Sequence, residues 1–564
     1  MKLTHFIPLI LSIATAHAAT LNVTTTADTG AGSLRTQIAA AVTGDTVAIT
    51  ATGMIALTTG EIAITGKNLT IAGPGANSVT ITTNATTRAL KIVNAQCTIS
   101  GITFNNCKGL VGDVDTGGAI AVDNFTSGGT TLVTTVTDCA FTNKQSGWGG
   151  AFDVFQGGLV MARCTFSANA QNGIATGQPG GGAIYNYGAG FANPPTVTAE
   201  HCTFVANVDA AGAGGAIKDN YTGSYHTAAK LKNCLLVNNQ TPATVLRNFS
   251  GNPTGVLTAT YTSLGGNVAD EAVTSAQFMT GSADKVSNAT VATTVSPTIA
   301  LNGAGLATHA ITRGSPAQRS GATSTVATDQ RGAPRHAKAD AGAFELIEPE
   351  LGVTVAAAPI GEGGTIAFGS TPFDTPLAAT VTIRNTQTSS FTSGPLALAN
   401  VAAPAGYSVT GFPTPALANG QSASFTVALT AANTGIVNAP LTFAGNDSFN
   451  PALATAAAGS PNAHLINLTA LVTDTMNHWR VQNFGPGATN SGDAADNANP
   501  TGDGIANLLK YGLGLNPFTS SPIALRVETD IATRFLRMTV TKNPAATDVM
   551  LNVQVNGARS FATG

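Results

Sequence analysis

Gly117-Gly118-Ala119-Ile120, Gly149-Gly150-Ala151-Phe152, Gly181-Gly182-Ala183-Ile184 and Gly214-Gly215-Ala216-Ile217 begin 32, 32 and 33 residues apart in a chain of 564. A fixed period of that size is the mark of a repeat architecture. Between the copies runs a second element, Asp138-Cys139-Ala140-Phe141, Arg163-Cys164-Thr165-Phe166, His201-Cys202-Thr203-Phe204 and Asn233-Cys234-Leu235-Leu236. Thr, Val, Ile, Phe and Gly dominate, and no segment here has helical spacing of apolar residues. Each unit is therefore β and must stack on its neighbours to bury its apolar side. One coil per repeat gives a parallel β-helix.

Val136, Met161, Ala199 and Leu231 each lie three residues before a repeat Cys. Alternating side chains cannot put positions three apart on one face of a flat strand, so a bend is expected at Thr137-Asp138, Ala162-Arg163, Glu200-His201 and Lys232-Asn233. Beyond it the Cys and the Phe or Leu point inward. Asp138 then faces Arg163 and Glu200 faces Lys232 on neighbouring coils, about 5 Å apart. Cys139, Cys164, Cys202 and Cys234 form a buried ladder whose parallel side chains do not converge to disulfide geometry. Free thiols are expected over bridges, and metal ligation by a row is disfavoured. Cys97 and Cys107 stay open.

Charged residues make up 10% of the chain against a usual level of about 25%. The net charge of −3, without a basic run, argues against nucleic acid as a partner. Residues 1–18 read as a secretory signal: Lys2, an apolar run from Phe6 to Ala14, and Ala16-His17-Ala18 as the cleavage site. No other stretch is long and apolar enough for a transmembrane helix, so an extracellular or cell-surface location is expected. Gly30 to Val42 reads as a short amphipathic helix with Ser33 as N-cap and Leu34, Ile38 and Ala41 on one side, suited to covering the open end of the solenoid.

The paired Gly-Gly-Ala-Ile and Phe-x-x-Asn elements (Phe166 to Asn169, Phe204 to Asn207) resemble the repeats of polymorphic outer membrane proteins. The Gly-Ser-Leu-Arg helix resembles the N-terminal cap of bacterial right-handed β-helix surface proteins. Thr308-His309-Ala310, Gly314-Ser315-Pro316-Ala317, Asp329-Gln330-Arg331-Gly332-Ala333-Pro334-Arg335 and Asp340-Ala341-Gly342-Ala343-Phe344-Glu345 are similar to the closing segment called choice-of-anchor Q. The resemblance implies a right-handed parallel β-helix over residues 19–346. Two positions depart from its pattern: Phe141 is followed by Asn143, two residues on rather than three, and Phe104 has Cys107 where Asn is expected.

After Glu348-Pro349-Glu350, residues 351–473 carry short alternating runs separated by Gly/Asn turns. Examples are Thr380 to Asn385, Ser424 to Leu429, Pro440 to Phe443 and Ile466 to Thr469, a β-sandwich pattern. It resembles the immunoglobulin-like choice-of-anchor D modules through Leu417 to Ser422 and Gly445-Asn446-Asp447. Residues 474–520 contain Asn499-Pro500-Thr501-Gly502-Asp503-Gly504-Ile505-Ala506-Asn507-Leu508-Leu509-Lys510, similar to the EF-hand-like loop and helix of exported bacterial proteins. Asn499, Thr501, Asp503, the Ile505 carbonyl and Asn507 match ligand places, but Lys510 stands where the pattern has Glu. Calcium is therefore disfavoured and no cofactor is expected. The Lys510 ammonium is expected to take the cation's place beside Asp503, with Asp493 and Asp496 as outside carboxylates that could rescue a metal site. Residues 521–564 read as strands, Arg534 to Val540 and Val549 to Val555, of an incomplete last module.

Two classes of function fit this all-β chain. The positions after Ile120, Phe152, Ile184 and Ile217 form an outward column, Ala121, Asp153, Tyr185 and Lys218, with Asn186 and Asp219 beside them. Asp153, Tyr185, Asn186 and Lys218 could line a glycan-binding strip, or the column could be a plain solvated face. Hydrolysis needs two carboxylates across one bond, and a lyase needs a base with a cation. Asp113, Asp115 and Asp123 lie scattered, and only Asp153, Lys218 and Asp219 offer a candidate set. His201 beside Cys202 reads as a bend residue rather than half of a thiol-imidazole pair. An exported, non-catalytic adhesin or glycan-binding scaffold is the leading reading, with a polysaccharide or cell-surface glycan as partner. A polysaccharide lyase or glycoside hydrolase is the alternative.

Overall fold

The computed structural model describes residues 18–84, 87–109, 117–124, 131–171, 180–189, 195–210, 214–222, 227–241, 245–250, 260–271, 275–302, 307–391, 394–447, 462–521, 526–530 and 535–552. The signal-like residues 1–17, together with Asp113, Asp115 and residues 553–555, lie outside them. The chain divides into two units, one built on residues up to Ile347 and one on most of the chain from Glu348.

The first unit is a parallel β-helix-like stack of three walls with nine, seven and eight strands. One coil runs from Ile120–Asp123 in the second wall through Val133–Thr137 in the first to Ala140–Thr142 in the third. Its neighbours follow in parallel register: Ile120, Phe152, Ile184 and Ile217 align, as do Val136, Met161, Ala199 and Leu231. Phe104, Phe141, Phe166 and Phe204 stack down the interior with ring centroids 5.2, 5.0 and 4.7 Å apart. Such contacts add to the burial of large apolar side chains.

The second glycine of the repeat motif is required by this stacking. A Cβ on Gly150 would lie 2.0 Å from the Gly182 carbonyl oxygen, and one on Gly182 would lie 2.2 Å from that of Gly215. Backbone meets backbone at these points, and no side chain fits.

The bend falls where the strand phase requires it. Asp138, Arg163, His201 and Asn233 are all left-handed, with φ of 55°, 54°, 52° and 53°. All six cysteines are free and buried. Arg163 makes a two-pronged contact to Asp138 at 2.6 and 2.7 Å, and Lys232 lies 3.2 Å from Glu200. Solvent reaches both pairs. A double-mutant cycle on Arg163→Met and Asp138→Ala should yield a coupling of about 1 kcal/mol or less, shrinking as salt is added. A coupling of several kcal/mol would make the pair a stability determinant instead of a register mark.

At the N-terminal end the helix Leu34–Ala40 is capped by the Ser33 side chain, which accepts from the Thr36 N–H, and Leu34 and Ile38 are buried. Arg35 ties it down through Asp28 at 2.8 Å and the Glu61 carbonyl at 2.8 Å.

Residues 307–347 lie along the outer face of the third wall as a strap. Thr165 donates to Gln330 Oε1 at 2.5 Å, Gln330 donates to the Cys139 carbonyl at 3.2 Å, and Ala343 N–H donates to Thr203 Oγ1 at 2.8 Å. The His309 ring meets the Ser167 hydroxyl at 2.9 Å. Beneath the strap Val205, Leu235, Val237 and Val268 pack on Ile311, Ala341, Phe344 and Leu346. The closing segment is thus a second layer along the wall.

The second unit contains a sandwich-like pair of sheets. One has five strands, among them Leu377–Asn385 and Ser422–Leu429, and the other has four, among them Gly435–Gly445 and Asn462–Thr473. Val381, Ile383, Phe425 and Val427 meet Leu441, Phe443, Ile466 and Leu468 in its core. Among the described strands of the two sheets every pairing is antiparallel except Thr365–Pro372 with Asn462–Thr473.

Helices Met476–Phe484 and Asn507–Leu513 follow, then a hairpin of Arg526–Asp530 and Phe535–Thr539. The strand expected from Val549 is absent over residues 549–552. Instead Ala546 and Val549 pack on Met476, Trp479 and Tyr511, and the Tyr511 hydroxyl donates to Asp548 at 2.5 Å. This apolar return onto the helices replaces the separate last module at those positions.

Candidate functional site

Register places Lys91, Ala121, Asp153, Tyr185 and Lys218 side by side on the outer face of the second wall, because Phe152 and Val154 to either side of Asp153 point into the core. The column is not an open solvated face. Asp153 is 2% exposed and Tyr185 fully covered, while Lys218 is half-buried. Burial pushes the Lys218 ammonium below its usual range, with Asp209 opposing the shift.

Asn186 and Asp219 do not belong to this face. They continue the intervening register of Val122 and Val154, which points into the solenoid. Asn186 donates to Asp219 Oδ1 at 2.8 Å, and the Asp219 N–H donates to the Tyr261 hydroxyl at 2.9 Å. Burial pushes the Asp219 carboxyl up to about 7, against the pull of the Asn186 hydrogen bond. Strand alternation therefore sets Asp219 across the wall from Lys218, and a catalytic set of Asp153, Lys218 and Asp219 does not assemble.

Two residues further along the same strands a second outward row begins, with Asp123, Phe155 and Tyr187 in register. Its rings join those of the first row. Tyr185 stacks on Tyr187 at 5.8 Å, Phe155 on Tyr187 at 5.5 Å, and Trp148 lies 5.6 and 6.3 Å from Tyr185 and Tyr187. Trp148 sits in the turn before Gly149, fixed by the Ser146 hydroxyl on its backbone at 2.9 Å. Trp148, Phe155 and Tyr187 are half-buried. At the edge of this strip burial raises the Asp123 carboxyl, and Lys91 partly offsets the shift. Sequence reading missed these three aromatics. Phe155 and Tyr187 were accessible to it as the i+2 partners of Asp153 and Tyr185, whereas Trp148 lies in a turn that no periodicity marks.

His201 is buried, its ring 3.1 Å from the Asn233 side-chain nitrogen, and burial pushes its imidazole down to about 2. The Cys202 thiol turns to the Glu200 carbonyl at 3.6 Å, so the two form no catalytic pair.

In the loop of the second unit Thr501 and Asp503 converge on Lys510. Its ammonium donates to Thr501 Oγ1 at 2.7 Å and lies 2.9 Å from Asp503 Oδ2 and 3.2 Å from the Pro517 carbonyl oxygen. Burial raises the Asp503 carboxyl, but hydrogen bonds from Lys510, Ile505, Thr501 and Ser521 outweigh it and hold the group well below the usual carboxylate range. Asn499 turns its oxygen to the Asp503 N–H at 3.2 Å, and Asn507 donates to the Asp493 and Ala495 carbonyls. Asp496 pairs with Arg480. Four of the five sequence-matched ligand positions, Asn499, Thr501, Asp503 and Asn507, are thus split between an internal ammonium and backbone caps. Among the described residues no group of three or more His, Cys, Asp or Glu is placed to hold a metal ion, and no helix is long and apolar enough to cross a membrane.

No family model matches this chain, and no curated protein does. Among solved structures it is similar to the Vibrio cholerae VesB protease at 17% identity and a TM-score of 0.15, over 20% of this chain and 32% of that one. The chain therefore spans about a third of the length of that structure. The likeness is too slight to carry an argument about fold or activity.

Proposed function

We propose that this is an exported, non-catalytic surface or matrix protein whose β-helix binds a glycan along the second wall. The observation that carries this reading is the contiguous strip of Trp148, Phe155, Tyr185 and Tyr187, partly open and edged by Asp123, Lys91 and Lys218. Aromatic faces offer large, rigid contact area to the apolar faces of sugar rings, and the flanking charges can take up hydroxyls or carboxylates. The signal-like start favours export. The likeness to polymorphic outer membrane protein repeats and to choice-of-anchor Q and D segments favours a right-handed solenoid held at a cell surface, with the sandwich as spacer.

Binding of the purified chain to acidic and neutral polysaccharides, measured by calorimetry, tests the proposal. Trp148→Ala and Tyr187→Ala should each weaken binding about tenfold, the effect of roughly 1.4 kcal/mol of lost stacking and burial, without new reducing ends or unsaturated products. Failure of every polysaccharide to bind would remove the reading.

A hydrolase is favoured by one observation only. Asp123 and Asp153 share the outward phase on adjacent strands, two residues apart in register, so that two carboxylates belong to one face as a hydrolase requires. New reducing ends that disappear in Asp123→Asn and Asp153→Asn would establish that alternative.

A further inference from the structure

After the third-wall strands five successive coils make a second left-handed turn, at Asn106, Asn143, Ala168, Ala206 and Asn238, with φ between 50° and 55°. The next residue points into the solenoid, giving the column Cys107, Lys144, Asn169, Asn207 and Asn239. From Asn169 onward this is a closed amide ladder. Asn169 donates to Asn207 Oδ1, Asn207 to Asn239 Oδ1 and Asn239 to Asn248 Oδ1, each at 2.8 Å. An asparagine at position 144 would extend it. The chain places a lysine there, 0% exposed, and its amine lies 3.3 Å from the sulfur of Cys107, also 0% exposed, on the preceding coil.

A buried amine without a carboxylate is costly unless it is neutral. Among the described residues no carboxylate pairs with Lys144. Burial pushes its amine down to about 8, with Cys107 partly opposing, so the free base with its nucleophilic lone pair is a larger share near neutral pH than it is for an exposed lysine. The other cysteine column lacks such a neighbour. Cys139, Cys164, Cys202 and Cys234 direct their thiols at backbone carbonyls, as Cys107 also does, but none of them has an amine in hydrogen-bond contact among the described residues, and burial raises Cys139 and Cys202 well above the usual thiol range.

We propose that Cys107 and Lys144 are a modification site, at which a peroxide drives a covalent sulfur–nitrogen bridge between consecutive coils. In the first step the Cys107 sulfur takes one oxygen from hydrogen peroxide, giving the sulfenic acid and one water. The Lys144 nitrogen then attacks that sulfur. The S–N bond forms as the S–O bond breaks, and the departing hydroxide takes a proton from the nitrogen to leave as a second water. Thiol, amine and one peroxide thus give a sulfenamide and two waters, with sulfur oxidised by two electrons and the peroxide reduced by two. The oxidant is small enough to reach the pair through native-state openings, and a thiol reductant reverses the product. The bridge staples two coils across 37 residues of sequence.

The test exposes the reduced, folded full chain to hydrogen peroxide, digests it with trypsin and maps the peptides by mass spectrometry. The expected product is a linked pair of peptides carrying Cys107 and Lys144, lighter than their sum by two hydrogens, with cleavage after Lys144 lost. Reductant should restore both peptides, and the oxidised protein should unfold several degrees higher. A linked pair heavier by one further oxygen would require a second peroxide and a different linkage, and would overturn the sulfenamide. Peroxide added to the chain unfolded in urea should give no linkage. Lys144→Asn, which extends the amide ladder, should abolish it, and Lys144→Met serves if the Asn variant does not fold. Cys107 left fully alkylatable after treatment, or carried to the sulfinic or sulfonic acid beside a cleavable Lys144, overturns the proposal.

Discussion

Glu345→Ala should loosen the strap from the third wall and destabilise the first unit by about 3–5 kcal/mol, the cost of leaving a buried charge without its partner. Glu345 is fully buried and accepts four hydrogen bonds: from Arg335 at 2.8 Å, from the Asp340 N–H at 2.9 Å, from the His336 ring at 2.9 Å and from the His336 N–H at 3.1 Å. Arg335 in turn donates to the carbonyls of Thr328, Asp340 and Gly342. Beside it Arg331 pairs with Asp329 at 2.7 Å and lies 3.8 Å over the Phe344 ring. Alanine would strand a guanidinium and two backbone donors at once, whereas Glu345→Gln keeps acceptor capacity and should cost less. Urea unfolding gives the magnitude, and hydrogen exchange should show protection lost first over residues 307–347. An Ala variant within about 1 kcal/mol of the parent would show that the strap does not depend on this network.

The same carboxylate gives the strap a pH dependence. The Glu345 hydrogen bond holds the His336 imidazole above its usual value, against burial. A group raised on folding takes up a proton in the native state, so its contribution is complete below about pH 6.5 and is lost as pH rises through the folded value. His336→Gln should flatten that part of the profile.

The legible part of this fold is the part that repeats. Gly118, Gly150, Gly182 and Gly215 recur because each coil needs backbone contact at the same place, and the Cys column recurs because the bend before it is the same in every coil. Spacing of three between Val136 and Cys139 exposed that bend without any coordinate. Strand alternation was equally available, and its consequence for Asn186 and Asp219 is that they lie inside the solenoid, one residue out of phase with Tyr185 and Lys218. What alternation cannot tell is what covers an outward face. Thr165 and Thr203 have the outward phase of solvated positions, yet Gln330 and Ala343 cover them from more than a hundred residues away. Tyr185 reads as an exposed aromatic and is fully covered. The return of Ala546 and Val549 onto Trp479 and Tyr511 was hidden for the same reason, since a short apolar run has the same composition in a sheet and against a helix.

Lys510→Ala should lower the unfolding midpoint of the second unit by roughly 10 °C, because it removes the cation around which the loop is wrapped. The ammonium is 0% exposed and gathers Thr501 Oγ1, Asp503 Oδ2 and the Pro517 carbonyl, oxygens that would otherwise face one another without a positive charge. In a calcium loop a bidentate carboxylate at this place would help to hold an ion at the centre; here the side chain itself carries the charge to the centre. The native chain should therefore show no calcium binding in the micromolar range by calorimetry. Lys510→Glu should be destabilised in chelator, bind calcium at least tenfold more tightly than the parent, and recover midpoint as calcium is added, since binding to the folded state alone stabilises it. Micromolar calcium binding by the unaltered chain would sink this account, because the ammonium and the ion cannot occupy the same place beside Asp503.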